Sequence, residues 1–175
     1  MTAMLAKSKA RLGNRVKVVE GNVLSMNLPE KFDAIYSQGG PLDISQVGED
    51  YHLYSFLPSF EETINMLNNI SHHLINGGLL VLNIQAEETD ADGDKEIGHG
   101  IVYRQQKYLS FLENQEMYFW EKDYIFIKKD KIVARDCHKF LNLHGQLLKN
   151  TMKAAGFKLK EVSADNLYLV CQQII

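Results

Sequence analysis

The chain has 175 residues, 45% of them apolar and 23% charged, and a formal charge of −3. That profile describes one globular domain, and a chain this long buries about 70% of its extended surface, so its core needs no disulfide or metal. The acidic balance excludes a dedicated nucleic-acid binder, which draws its affinity from many Lys and Arg contacts to phosphate, and no apolar run approaches the ~18 residues that cross a bilayer.

In chain order, Thr2–Leu12 is rich in Ala, Lys, Leu and Arg and predicts a helix, stopped by Gly13-Asn14. The β-branched run Val16–Glu20 predicts a strand ended by Gly21. Phe32–Ser37 predicts a second strand, broken by Gly39-Gly40-Pro41. Ser59 with Glu62 predicts a capping box, and Phe60, Ile64, Leu67, Ile70 and Leu74 fall on one helical face that Asn76-Gly77-Gly78 closes. The near-continuous apolar run Leu79–Gln85 predicts a central parallel strand buried on both faces. Residues 100–141 are dense in aromatics and predict an antiparallel meander, with turns at Glu113-Asn114-Gln115 and Lys128–Lys131. Asn142 is the expected N-cap of a last helix through Leu143, Leu147, Leu148, Met152 and Ala155, stopped by Gly156. Phe157–Val162 and Leu167–Gln172 predict a closing hairpin around Ser163–Asn166. Alternating units of this kind imply an α/β fold, a single domain with a mainly parallel sheet and an antiparallel end.

Six acidic side chains between Glu87 and Glu96 face only Lys95, which reads as a solvated loop. An EF-hand is excluded there, because its turn glycine belongs at loop position 6 and Gly93 falls too early. Cys137 and Cys171 have no CxxC spacing, which fits a reducing, cytoplasmic setting, and Cys137, with no base partner in the sequence, reads as structural. The histidines show no HxxxH or HExxH pattern, so no metal is expected; His72 and His73 suit a helix C-terminus as cations. His138 and His144 are the candidate general bases.

Ligands of open α/β sheets bind at the carboxyl ends of the strands. There the sequence places Gly21-Asn22-Val23, Ser37-Gln38-Gly39-Gly40 and Gln85-Ala86-Glu87. The segments VKVVEGNVLSMNLPEKFDAIYSQGG and ISHHLINGGLLVLNIQ, with the ending LLKNTMKAAGFKLKEVSADNLYLVCQQ, resemble the class I S-adenosylmethionine-dependent methyltransferases over most of the chain. The resemblance implies a Rossmann-like sheet and methyl transfer from S-adenosylmethionine to a small-molecule acceptor, an amine in the N-methyltransferases that share such a meander. It implies that Gly21, Asn22 and Val23 lie beside the adenine, with Asn22 where the family has Asp, and that Ser37, Gln38 and Gly39 contact cofactor and substrate. The turns after Glu20 and Ser37 would then lie side by side. Leu74–Gly78 match the family's structural Leu-x-x-Gly-Gly turn.

The family's glycine-rich loop and its ribose-binding acid have no counterpart in these residues. The resemblance therefore implies a chain that starts about one third into the domain, lacks the family's first two strands and binds the cofactor poorly by itself. It also implies that strand 16–20 pairs directly with 32–37, or that a second copy or a complementing N-terminal segment fills the gap. Among the meander aromatics, Tyr103, Tyr118, Trp120 and Tyr124 are the candidate substrate-binding residues, since ring faces tolerate the cationic character of an amine. Neither nucleic acid nor membrane is an expected partner. The competing reading is a non-catalytic methyltransferase-like module that scaffolds a partner.

Overall fold

The structure, a computed structural model, describes residues 3–85, 93–111 and 116–174. Helix α1 (Ala3–Leu12) passes through a 3₁₀ turn (Gly13–Arg15) into an extended, irregular stretch. The strands are β1 (Phe32–Ser37), β2 (Leu42–Val47), β3 (Asp50–Ser55), β4 (Leu74–Gln85), β5 (Lys95–Glu96), β6 (Ile101–Phe111), β7 (Met117–Lys128), β8 (Lys131–Leu143), β9 (Phe157–Val162) and β10 (Tyr168–Gln173). Helix α2 (Phe60–His72) precedes β4, and α3 (Gly145–Ala154) follows β8. All ten strands form one sheet, in the order β5-β6-β7-β8-β3-β2-β4-β10-β9, with β1 also on β4.

The sheet is mixed and mostly antiparallel, which corrects the expected mainly parallel one. Only β1–β4 and β2–β4 run parallel among the described pairs. Two features shift the balance. The meander strands β6, β7 and β8 are long, and a hairpin that the sequence reading passed over, β2–β3, joins the meander to β4. Its two-residue turn has Gly48 at φ 62, the backbone that a tight hairpin asks of glycine.

The core gathers on one face of the sheet. Met66, Leu67 and Ile70 of α2 share a buried cluster with Leu80, Leu82 and Ile84 of β4, Leu42 and Ile44 of β2, and Met152 of α3. Ser59 caps α2 as expected, its Oγ accepting the Glu62 N–H at 3.3 Å. The helix ends at His72, not at the glycines. Asn76-Gly77-Gly78 instead lies within β4, where the pairing with β1 skips from Phe32↔Leu74 to Ala34↔Leu79. A Cβ on Gly78 would sit 2.9 Å from the Ile75 carbonyl oxygen, so this bulge needs glycine. Beyond it β4 alternates, with Leu80, Leu82 and Ile84 buried and Leu79, Val81 and Asn83 half-buried, so it is fully buried on one face only.

The expected strand at Val16–Glu20 is absent. These residues pair with no strand, and Val16 and Val19 are exposed. A strand needs a ladder partner, and none is offered among the described residues. The loop that follows is held instead by α2: Asn69 Nδ2 donates to the Val23 and Met26 carbonyls at 2.7 and 3.0 Å. Buried His73 accepts the Leu28 N–H on Nε2 at 2.9 Å and bonds the Asn69 carbonyl through Nδ1 at 2.8 Å. That pairing describes a neutral ring that ties a loop down, not the cation expected at a helix end.

Asn142 belongs to β8 and caps nothing; His144 is the N-cap residue of α3 and makes no side-chain cap bond. The closing hairpin and the turn at Lys129-Asp130 stand as expected. The turn at Glu113-Asn114-Gln115 and most of the acidic loop lie outside the described residues; Asp94, inside them, pairs with Arg104 at 2.7 Å. No helix among the described residues is long and apolar enough to cross a membrane.

Candidate active site

A cavity of about 1110 Å³ opens between the concave face of the meander and the carboxyl ends of the parallel strands. Gly39 after β1, Asp43 at the start of β2 and Gln85 at the end of β4 line one end. The other walls come from alternate residues of β3 (His52, Tyr54) with Phe56 just after it, of β7 (Tyr118 through Phe126) and of β8 (Asp136, His138, Phe140). The period of two along each strand sends these side chains to one face.

The aromatic wall is continuous. Tyr54 stacks on Phe140 at 4.9 Å and meets Trp120 edge-on at 5.6 Å, while Phe56 meets Phe140 edge-on at 4.6 Å. Lys122, 7% exposed, holds its Nζ 5.3 Å from the Trp120 ring and 5.8 Å from that of Phe140. The Trp120 indole Nε1 is buried without a hydrogen-bond partner among the described residues, a donor left for a bound molecule or water.

Two groups with shifted protonation flank this wall. His52 and Tyr118 share a 2.8 Å hydrogen bond between Nδ1 and the hydroxyl, and the His52 ring stacks on His144 at 4.4 Å. Burial, then the neighbouring His144, holds His52 below the ordinary histidine value, so it is a neutral base near pH 7. Burial pushes the Tyr118 hydroxyl up to about 12. At the other end Asp43, 3% exposed, accepts the Gly39 N–H at 3.3 Å on Oδ1 and the Gln85 amide at 3.4 Å on Oδ2. Burial raises its carboxyl to about 6 against the pull of those two bonds.

Of the residues expected from the sequence, Tyr118, Trp120, Tyr124, His138, His144 and Gly39 line this one cavity. Tyr103 does not; its ring sits 6.3 Å from that of Tyr124 and its hydroxyl donates to Gln105. His138 donates to Asp136 at 2.9 Å, near the outside. Gly21, Asn22, Val23, Ser37 and Gln38 lie off the cavity lining. Asn22 closes its own turn, its Oδ1 accepting the Leu24 N–H at 3.0 Å, and Ser37 Oγ donates to the Leu42 carbonyl at 2.5 Å. No hydrogen bond joins those two turns among the described residues.

Sequence reading missed Asp43, His52, Tyr54 and Lys122. The first three belong to the hairpin it passed over, and the Gly48-Glu49 pair between two β-rich runs was the signal that could have found them.

No protein-family model and no curated protein sequence matches the chain. Solved structures do. CalS10, an amino pentose methyltransferase from Micromonospora echinaspora solved with S-adenosylmethionine, aligns over 98% of this chain and 70% of its own, at 19% identity and a TM-score of 0.55. DesVI of Streptomyces venezuelae aligns over 98% and 70%, at 19% identity and a TM-score of 0.57. The CcbJ methyltransferase of Streptomyces caelestis aligns over 98% and 71%, at 15% identity and a TM-score of 0.60. The chain has the fold of the class I S-adenosylmethionine-dependent methyltransferases. In this methyltransferase fold β1, β4, β10 and β9 form one half of the sheet, and the ends of β1 and β4 open on the cavity. The residues there fit the family's cofactor: Gly39 has φ +57 and open space where a Cβ would stand, so a ligand can approach its backbone closely.

Proposed function

We propose that the chain serves S-adenosylmethionine-dependent methyl transfer to a nitrogen of a small molecule. One observation carries this reading: a single cavity joins Gly39, Asp43 and Gln85 at the strand ends to the aromatic wall of Tyr54, Trp120 and Phe140. The likeness to an amino pentose methyltransferase supports an amine on a sugar-sized acceptor. When bound, S-adenosylmethionine supplies a methyl made electrophilic by its sulfonium.

The chain's own residues do the rest. Gly39, with Ser37 and Gln38, offers backbone at the carboxyl end of β1, and Gly21, Asn22 and Val23 offer a second turn for the adenine. Tyr118, Trp120 and Tyr124 hold the acceptor and exclude water, with Tyr103 packed behind Tyr124. His144, stacked on His52, and His138 are the candidate bases for the proton left on the acceptor after the methyl has been transferred. Methyl transfer needs chiefly alignment in a dry site, and the shape of the wall meets that need.

The described residues hold no counterpart of the family's glycine-rich loop after its first strand, so affinity for the cofactor is expected to be weak. Isothermal titration with S-adenosylhomocysteine tests this: weak binding to this chain and tight binding to a longer one carrying such a loop support the reading. Equal tight binding removes the weak-affinity part, and no binding to either removes the function. The scaffold reading is favoured by one observation, that the Asn22 side chain is already occupied by the Leu24 N–H. It predicts that neither chain binds.

A further inference from the structure

Two carboxylates are among the described cavity residues. Asp136 has a cation-capable partner, bonding His138 at 2.9 Å, and its side chain is 69% exposed. Asp43 is the opposite case. It is 3% exposed, and among the described residues no Lys, Arg or His pairs with it. A buried carboxylate with no counter-cation costs folding stability unless something supplies the missing charge.

Its surroundings say what would supply it. The antiparallel register sets Asp43 directly opposite Tyr54, so the carboxylate and that ring share a face. Tyr54 in turn packs against Trp120 and Phe140; the Lys122 ammonium already faces those two rings, at 5.3 and 5.8 Å, so it is the carboxylate and not the ring faces that leaves a charge to be met. The Gly39 N–H and the Gln85 amide hold the two carboxylate oxygens from the ends of β1 and β4, which orients the group without neutralising it. A negative charge fixed at the rim of an aromatic chamber is a receptor for an organic ammonium.

We propose that Asp43 binds the ammonium group of the acceptor and takes its proton, an assignment that rests on the methyl-transfer reading. The ammonium N–H bond breaks, its electron pair stays on nitrogen as the attacking lone pair, and the proton passes to a carboxylate oxygen and then to water. As the new N–C bond forms, positive charge returns to nitrogen beside a carboxylate already in place, which favours the transition state over the neutral amine.

Trp120 is the chain's single tryptophan and lines the cavity, so its fluorescence reports binding. The probes are cyclohexylamine and cyclohexanol, alike in shape and different in charge at pH 7.5. The whole 175-residue chain is expected to bind the amine at least tenfold more tightly than the alcohol. Asp43→Asn, and Asp43→Ser as a second variant should the first fail to fold, are expected to bring the two within twofold. Asp130→Asn, in a remote turn, keeps the preference. No preference in the wild type, a preference that survives both Asp43 variants, or its loss in Asp136→Asn instead overturns the proposal. So does a tenfold loss of S-adenosylhomocysteine affinity in Asp43→Asn with the amine preference intact, which would set the carboxylate against the donor's own amino group. Should S-adenosylhomocysteine bind no form while the amine preference follows Asp43, the methyl-transfer reading fails and the cation site stands.

Discussion

Glu116, just ahead of β7, accepts the N–H groups of Gln146 and Leu147 at 3.0 and 2.9 Å, and so satisfies the first turn of α3 that His144 leaves open. A carboxylate at a helix N-terminus also meets the positive end of the helix dipole. Glu116→Ala is therefore expected to lower stability by about 1–2 kcal/mol, read from urea or thermal unfolding. Gly145→Ala is expected to cost more, because its φ is +58 and the added Cβ would stand 2.6 Å from Glu116 Oε1. Asp43 has a pH signature. Burial raises its carboxyl from 3.8 to about 6, so the folded state holds the proton longer than the unfolded chain does. The stability tied to that proton is fully present below about pH 4 and is lost as pH rises through about 6. His52 works in the other sense, since its lowered value removes stability as pH falls below the ordinary histidine range. The clean measurement is thus a difference: Tm of Asp43→Asn minus Tm of the wild type, rising from pH 4 to pH 6 and level above. Burial, then the neighbouring Tyr168, pushes the Tyr36 hydroxyl up to about 12, outside that window.

At the scale of elements, local chemistry was legible wherever it was self-contained. Ser59 announced α2, and Gly156, at φ 82, announced the end of α3. What misled was residues with two uses. Asn76-Gly77-Gly78 suits a helix stop and a strand bulge equally, and only the pairing of Phe32 with Leu74 decides between them. Val16–Glu20 has the composition of a strand but no ladder to join, and composition alone cannot show that. The β7–β8 turn carries a correctable strain: Lys129 and Asp130 both have positive φ, 50 and 58. Asn-Gly is the pair that such a turn prefers. Lys129→Asn with Asp130→Gly is expected to raise stability by about 1 kcal/mol, seen as a higher Tm with the cavity unchanged.

Across the whole molecule, the α/β character of the fold followed from the alternating units and the family-like segments, whereas the antiparallel majority did not. The meander aromatics were visible as a class, and three of the four chosen rings line the cavity. The carboxylate that completes it was hidden, because a lone Asp after Gly-Pro-Leu has no pattern to mark it. Hydrogen exchange gives a global check. β4 is bonded by β10 on one edge and by β1 and then β2 on the other, so its amides are expected to exchange last, after those of β9 and β1.

That shared edge has a further meaning. β1 leaves β4 at Leu82, and β2 joins it at Ile84, the next residue but one. The strand end that carries Gly39 and the hairpin that carries Asp43 and Tyr54 are thus graduated on one ruler, and two residues added to β4 between those marks would slide one against the other by about 7 Å. Their separation is written into the count of peptide units along a single strand.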